Sequence, residues 1–321
     1  LGGKIASPAI AQDTLKQEIK APQHLEKARQ LIKDGKFAAA EILARELLKQ
    51  AEATSGADSL KVAEVLDPLV ESLWRGGKAR APESRKLAER ALAIKEKALG
   101  PEHPEVAKSL YAFAGVFYNT GNYAGAKPLV ERALAIREKS LGPEHPDVAQ
   151  SLNFLGVLLR IMGDNAGAKP LHERALAIRE KALGPEHPDV TQSLDNLALL
   201  LSETGDYARA RALSERALAI QEKALGPEHP IVANNLHYLA ITLYRVGNYT
   251  GARPLYERAL AIREKVLGPE HPEVAESLGN LGIMLEDIGD YAGARSLFVR
   301  TLAIFEKALG PEHPNPSSTV G

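Results

Sequence analysis

The sequence predicts an all-α protein built as a stack of helix pairs, and three observations carry this. The hexapeptide LGPEHP begins at residues 99, 141, 183, 225, 267 and 309, always 42 residues apart, and a fixed period of roughly 20–50 residues marks a stacked array. Between the phrases, apolar residues recur with the period of about 3.6 that belongs to a helix. No stretch shows the two-residue alternation of a half-buried strand.

Aligned on the phrase, the chain gives about seven units: 23–56, 59–100, 101–142, 143–184, 185–226, 227–268 and 269–310. The first is shorter and divergent. The second carries two extra residues in its middle, around Gly77 to Pro82. A single array over 23–310 is expected, with residues 1–22 as a leader and 311–321 as a tail.

The unit from 101 shows how each element arises. Val106, Leu110, Phe113, Ala114 and Phe117 fall on one face of a first helix. Gly121, Asn122 and Tyr123 stop the chain and restart it. Ala126, Leu129, Ala133, Leu134 and Ile136 line a second helix that ends at Leu141. Ala114 and Ala126 are small enough to let the two helices approach closely. The phrase then makes a corner. Gly142 supplies the left-handed conformation that ends a helix, and Pro143 cannot continue it. His145 precedes a proline and is pushed to extended geometry. Pro146 suits the first position of the next helix, and Asp147 places a negative charge at its amino end. Pro128, Pro170 and Pro254 lie inside second helices, where proline costs about 3 kcal/mol, so a bend or a late helix start is expected there.

Composition narrows the function. Lys and Arg number 40 against 41 Asp and Glu, a net charge of −1, which argues against a protein that coats nucleic acid or an anionic membrane. There is no cysteine, which excludes disulfides, thiolate catalysis and cysteine-bound zinc. No stretch approaches the ~20 apolar residues of a membrane span. No nucleophile elbow, phosphate loop or zinc helix motif occurs, so no enzyme and no cofactor are expected. The corner histidines His103, His145, His187, His229, His271 and His313 come one per unit. Stacked units lie too far apart for them to converge on one ion, so no metal site is expected. The run from Ser7 to Ala11 has the small-x-small pattern of a signal-peptidase site. A cytoplasmic location is expected, or a periplasmic or exported one if residues 1–11 are a signal-peptide remnant.

Leu194, Leu197, Ala198 and Leu201, then Gly205, Asp206, Tyr207 and Ala210, then Ala217, Leu218 and Ile220, form a pattern that resembles the tetratricopeptide repeat. The segment ERALAIQEKALG at 215–226, followed by PEHP, resembles the 42-residue repeats of kinesin light chains and their bacterial relatives. Residues 1–56 show none of the heptads that join kinesin light chains to their motor. The resemblance implies a right-handed α-solenoid, a superhelix of antiparallel pairs whose first helices line a concave groove for linear peptide segments of partner proteins.

Residues one step after the fixed leucine of each first helix vary: Tyr111, Asn153, Asp195, His237 and Gly279. So do the next, Ala112, Phe154, Asn196, Tyr238 and Asn280, and those further on, Tyr118, Arg160, Ser202, Tyr244 and Glu286. In the family the matching positions face the groove. The candidate peptide-binding set is therefore Tyr111, Tyr118, Asn153, Phe154, Arg160, Asn196, His237, Tyr238, Arg245 and Asn280. The amides offer both donor and acceptor to an extended backbone, the rings supply flat apolar area, and Arg160 and Arg245 suit an acidic residue. A non-enzymatic interaction scaffold is expected. The alternative is a self-associating scaffold, a homo-oligomer joined through the last helix. There Phe298, Leu302, Phe305 and Leu309 form an apolar seam, although terminal units usually carry polar caps.

Overall fold

A computed structural model describes residues 23–309, with side chains to Lys307. The expected leader 1–22, the tail, His313 and the side chain of Leu309 lie outside the described residues. Every described element is helical: α1 (23–33), α2 (Phe37–Ser55), α3 (Leu60–Arg75), α4 (Pro82–Leu99), α5 (Pro104–Asn119), α6 (Tyr123–Leu141), α7 (Pro146–Ile161), α8 (Asn165–Leu183), α9 (Thr191–Glu203), α10 (Tyr207–Leu225), α11 (Pro230–Arg245), α12 (Tyr249–Leu267), α13 (Pro272–Asp287) and α14 (Tyr291–Leu309). A short 3-10 turn, Pro188–Val190, leads into α9.

The chain divides into two compact units between Asp164 and Asn165. In the first, each helix from α2 to α6 packs on its successor, and α3 also touches α5. In the second, the same holds from α8 to α13, and α9 touches α11. First helices thus pack on a partner, and α3 and α9 also on the next first helix. Val106, Ala107 and Leu110 are fully buried against Ala133 and Ile136. Val232, Ala233 and Leu236 repeat that cluster against Ala259 and Ile262.

The corner is more fully bonded than its sequence suggests. Gly142 has φ of 88° and its N–H donates to the Glu138 carbonyl at 3.1 Å. His145 caps the next helix: its Nδ1 accepts from the Asp147 N–H at 3.1 Å. His103, His187, His229 and His271 make the same cap at 3.1–3.2 Å. Within each pair, Asn122, Asp206, Asn248 and Asp290 cap the second helix from its own side-chain oxygen.

Arg132 and Lys139 stay solvent-accessible and also pair across the boundary between helix pairs: Arg132 donates to Glu96 at 2.5 Å and to the Pro101 carbonyl at 2.7 Å, and Lys139 pairs with Glu102. Arg216, Arg258 and Arg300 reach back to Glu180, Glu222 and Glu264 in the same way. Long side chains cross the boundary between pairs, which no single-helix periodicity reveals. The prolines do not delay the second helices, which begin five residues ahead at Tyr123, Asn165 and Tyr249. Each proline and the residue four before it are exposed, so the carbonyl that proline leaves without a donor belongs to a residue on the solvent side, where its missing partner costs least. A further proline, Pro68, stands buried inside α3.

Replacing His271 by Ala removes one cap and is expected to cost about 1 kcal/mol. Urea unfolding checks this, with His271→Asn recovering most of the loss.

Candidate functional site

The face of the first helices rests, in four places, on a buried polar strut from a second helix. Lys95 is 1% exposed. Its ammonium lies 2.5 Å from Asp67 and donates to the Glu105 carbonyl at 3.1 Å. Arg137 donates to the Asp147 carbonyl and Ser151 Oγ at 2.9 and 2.7 Å. Arg179 reaches the Asp189 carbonyl at 3.1 Å and Ser193 Oγ at 3.0 Å. Arg263 reaches the Glu273 carbonyl at 3.3 Å, Ser277 Oγ at 2.6 Å and Asn234 Oδ1 at 2.8 Å. A cation is tolerated out of water only when its protons are taken up in this way. Each strut ties one pair to the first turn of the next.

In the first unit the face carries an aromatic cluster. Tyr111 and Tyr118 meet the Phe154 ring edge-on, at centroid distances of 5.2 and 5.7 Å. Tyr123 adds a contact to Tyr118 at 5.7 Å. The Arg137 guanidinium lies 5.2 Å from the Tyr111 centroid. All three rings of the expected set remain half-buried. Asn153 is 3% exposed and sits beneath this surface, while Arg160 stays partly exposed.

In the second unit, His237 and Asn280 come together, with 3.1 Å between His237 Nε2 and Asn280 Nδ2. The imidazole lies edge-on to Tyr238 and Tyr256. Burial, with the nearby Arg263 charge, pushes its pKa down to about 4, so the ring is neutral near pH 7. Tyr238 is 37% exposed. Arg245 is exposed and Asn196 half-buried. Tyr244 donates to Asp287, so that acidic residue already has a partner within the array.

Four residues outside the expected set share this face. Asp67, Glu71 and Trp74 stand on α3, and burial pushes both carboxyls up. Trp74 lies over Gly115, where a Cβ would come within 2.4 Å of the indole. The two extra residues after α3 hid this register from a 42-residue alignment. Asp195 on α9 is the fourth. It accepts from Asn235 Nδ2 at 2.8 and 2.9 Å, and burial pushes its carboxyl up to about 7. Among the described residues no three His, Cys, Asp or Glu side chains group as a metal site. No described helix is long and apolar enough to cross a membrane.

On the last helix, Phe298 and Phe305 turn toward their own array. Phe298 covers Gly282 and packs on the cluster of Leu281 and Met284. Phe305 packs on Val274, Ala275 and Leu278. Leu302 is 42% exposed, beside Val299 at 63% and Tyr291 at 70%. At about 100° per residue, Leu302 falls roughly 40–60° to one side of both rings, which puts it on the outer edge.

The profile of the tetratricopeptide repeat family matches residues 77–139, 110–181, 147–223, 193–250 and 231–307. The chain belongs to the tetratricopeptide repeat family. The nearly identical TPR-like repeats of a kinesin light chain from Podosopora anserina are 31% identical, with a TM-score of 0.53, over 63% of this chain and 94% of that one. BtubC from P. vanneervenii is 20% identical, with a TM-score of 0.56, over 77% and 92%. A Rap protein complexed with Competence and Sporulation Factor is 15% identical, with a TM-score of 0.70, over 90% and 79%. The last two show likeness of fold alone. A comparison with curated proteins finds no match. The fold is thus the tetratricopeptide α-solenoid, a scaffold for protein–protein interaction, and no catalytic family is indicated.

Asp195 makes one pH effect testable. Its carboxyl moves from the usual 3.8 up to about 7 in the folded chain, so the folded state holds the proton more tightly than the unfolded one. The favourable contribution is full below about pH 4 and is lost as pH rises through 7. Asp195→Asn should therefore raise the thermal midpoint above pH 7, with the gain fading toward pH 4. Thermal scans across that range check it.

Proposed function

We propose that this protein is a non-enzymatic scaffold whose first-helix face binds an extended segment of a partner protein. The observation that carries the reading is the half-buried cluster of Tyr111, Tyr118 and Phe154 on helices α5 and α7. Rigid rings set on a braced face are the usual hot-spot material of interfaces, and a face that met only water would gain nothing from them. His237, Asn280 and Tyr238 give the second unit a neutral hydrogen-bonding counterpart. The membership of a scaffold family supports the same reading, as does the fold likeness to a Rap protein captured with a bound factor. The expected consequence is that peptides selected from a random display library by the whole chain bind at least tenfold more weakly to Phe154→Ala and Tyr111→Ala. Isothermal titration measures this, and unchanged affinity in both variants overturns the role given to the cluster.

A second reading, self-association through α14, is favoured by one observation. Tyr291, Val299 and Leu302 are exposed around a cavity of about 330 Å³ that is also lined by Phe298. If that surface joins copies, sedimentation mass rises with concentration and Leu302→Glu returns it to the monomer value. A wild-type chain that stays monomeric throughout removes this reading.

A further inference from the structure

Asp67 and Asp195 occupy the same register, each directly after the fixed leucine of its first helix, Leu66 and Leu194. In both places the next first helix donates to the carboxylate. Ser109 Oγ reaches Asp67 Oδ1 at 2.6 Å, and Asn235, which holds Ser109's position before Leu236, reaches Asp195. The two sites part at the strut. For Asp67 it is Lys95, at 2.5 Å. The segments RALAIKEKALG (90–100) and RALAIQEKALG (216–226) put Gln221 in the place of Lys95. Gln221 donates to Thr191 Oγ1 at 2.5 Å instead. Its Oε1 is buried without a hydrogen-bond partner, and so is Asn235 Oδ1. Gln221 and Asn235 are only 6% and 1% exposed.

Asp195 thus lacks the resident cation that its equivalent carboxylate has, and Gln221 and Asn235, in register with it, each carry a buried amide oxygen without a donor, which is expensive. An ammonium brings three N–H donors and no acceptor, a match in number and charge. Lys95 shows the arrangement within this same chain, spreading its donors over Asp67 Oδ2, the Glu105 carbonyl and Glu105 Oε2. Asp195 keeps part of its surface open to solvent, so the donor can arrive from outside.

We propose that Asp195, with Gln221 and Asn235, seats the ammonium of a lysine side chain on the bound partner segment, a refinement that rests on the first-helix face binding such a segment. The whole chain is screened against a random library of N-terminally acetylated peptides at about pH 8, where the Asp195 carboxyl is ionised. The expected result is a selected set that shares a lysine. Acetylating that lysine, or introducing Asp195→Asn, then weakens binding by about tenfold or more. Gln221→Lys, which supplies from within the residue that Lys95 provides for Asp67, removes the lysine preference without lowering the thermal midpoint. Selected peptides indifferent both to acetylation and to Gln221→Lys overturn the lysine seat and leave the peptide-binding face standing. No selected peptide of any kind overturns the face, and the seat with it.

Discussion

A buried, hydrogen-bonded side chain running from the second helix of one pair to the first turn of the next is the constraint on which this structure depends. Lys95, Arg137 and Arg263 each end on the backbone carbonyl of the second residue of the following first helix, and Arg179 on the matching carbonyl of the 3-10 turn that leads into α9. Three of them also bond the serine one turn on: Ser151, Ser193 or Ser277. A buried charge is stable only while those acceptors stay in place, so the strut resists both sliding and rotation of one pair on the next. Apolar packing between small residues such as Ala107 and Ala133 has no such directional demand. It supplies cohesion, and the strut supplies register.

The corner works with the strut. The glycine that ends one helix and the histidine that caps the next lie three residues apart, so the chain turns with its exposed donors already satisfied. Arg132 and its counterparts then grip the corner from the following second helix. These outer ion pairs are exposed and individually weak, and they trim the angle that the buried strut has set. Repetition of LGPEHP is therefore a repetition of geometry, and its described histidines are consumed as caps.

A frame held this firmly leaves the residue above each strut free to vary. Tyr111 lies over Arg137, Asp67 over Lys95, and His237 beside Arg263. Where the strut itself changes, to Gln221 or Phe305, the chemistry of the face changes with it: a carboxylate without a resident cation, and an apolar end. The family likeness accounts for the frame. What distinguishes one pair's face from the next is written in these few substitutions.

The sequence by itself determined the period, the all-helical class and the extent of most helices. Each of these follows from local chemistry: glycine at positive φ, proline at a helix start, apolar spacing near 3.6. Only the tertiary structure decided which polar residues are surface and which are strut. Arg137 and Arg132 are five residues apart on one helix and read alike in sequence, yet one is 4% exposed and the other straddles an outer boundary. Asn153, expected on the open face, is buried, and Phe298 and Phe305 pack inward although their spacing fits an exposed seam. Every first helix here packs on more than one neighbour, so a single apolar stripe cannot report its several contacts. Long side chains settle into whichever gap the neighbouring pair leaves, and that gap exists only once the pairs have stacked.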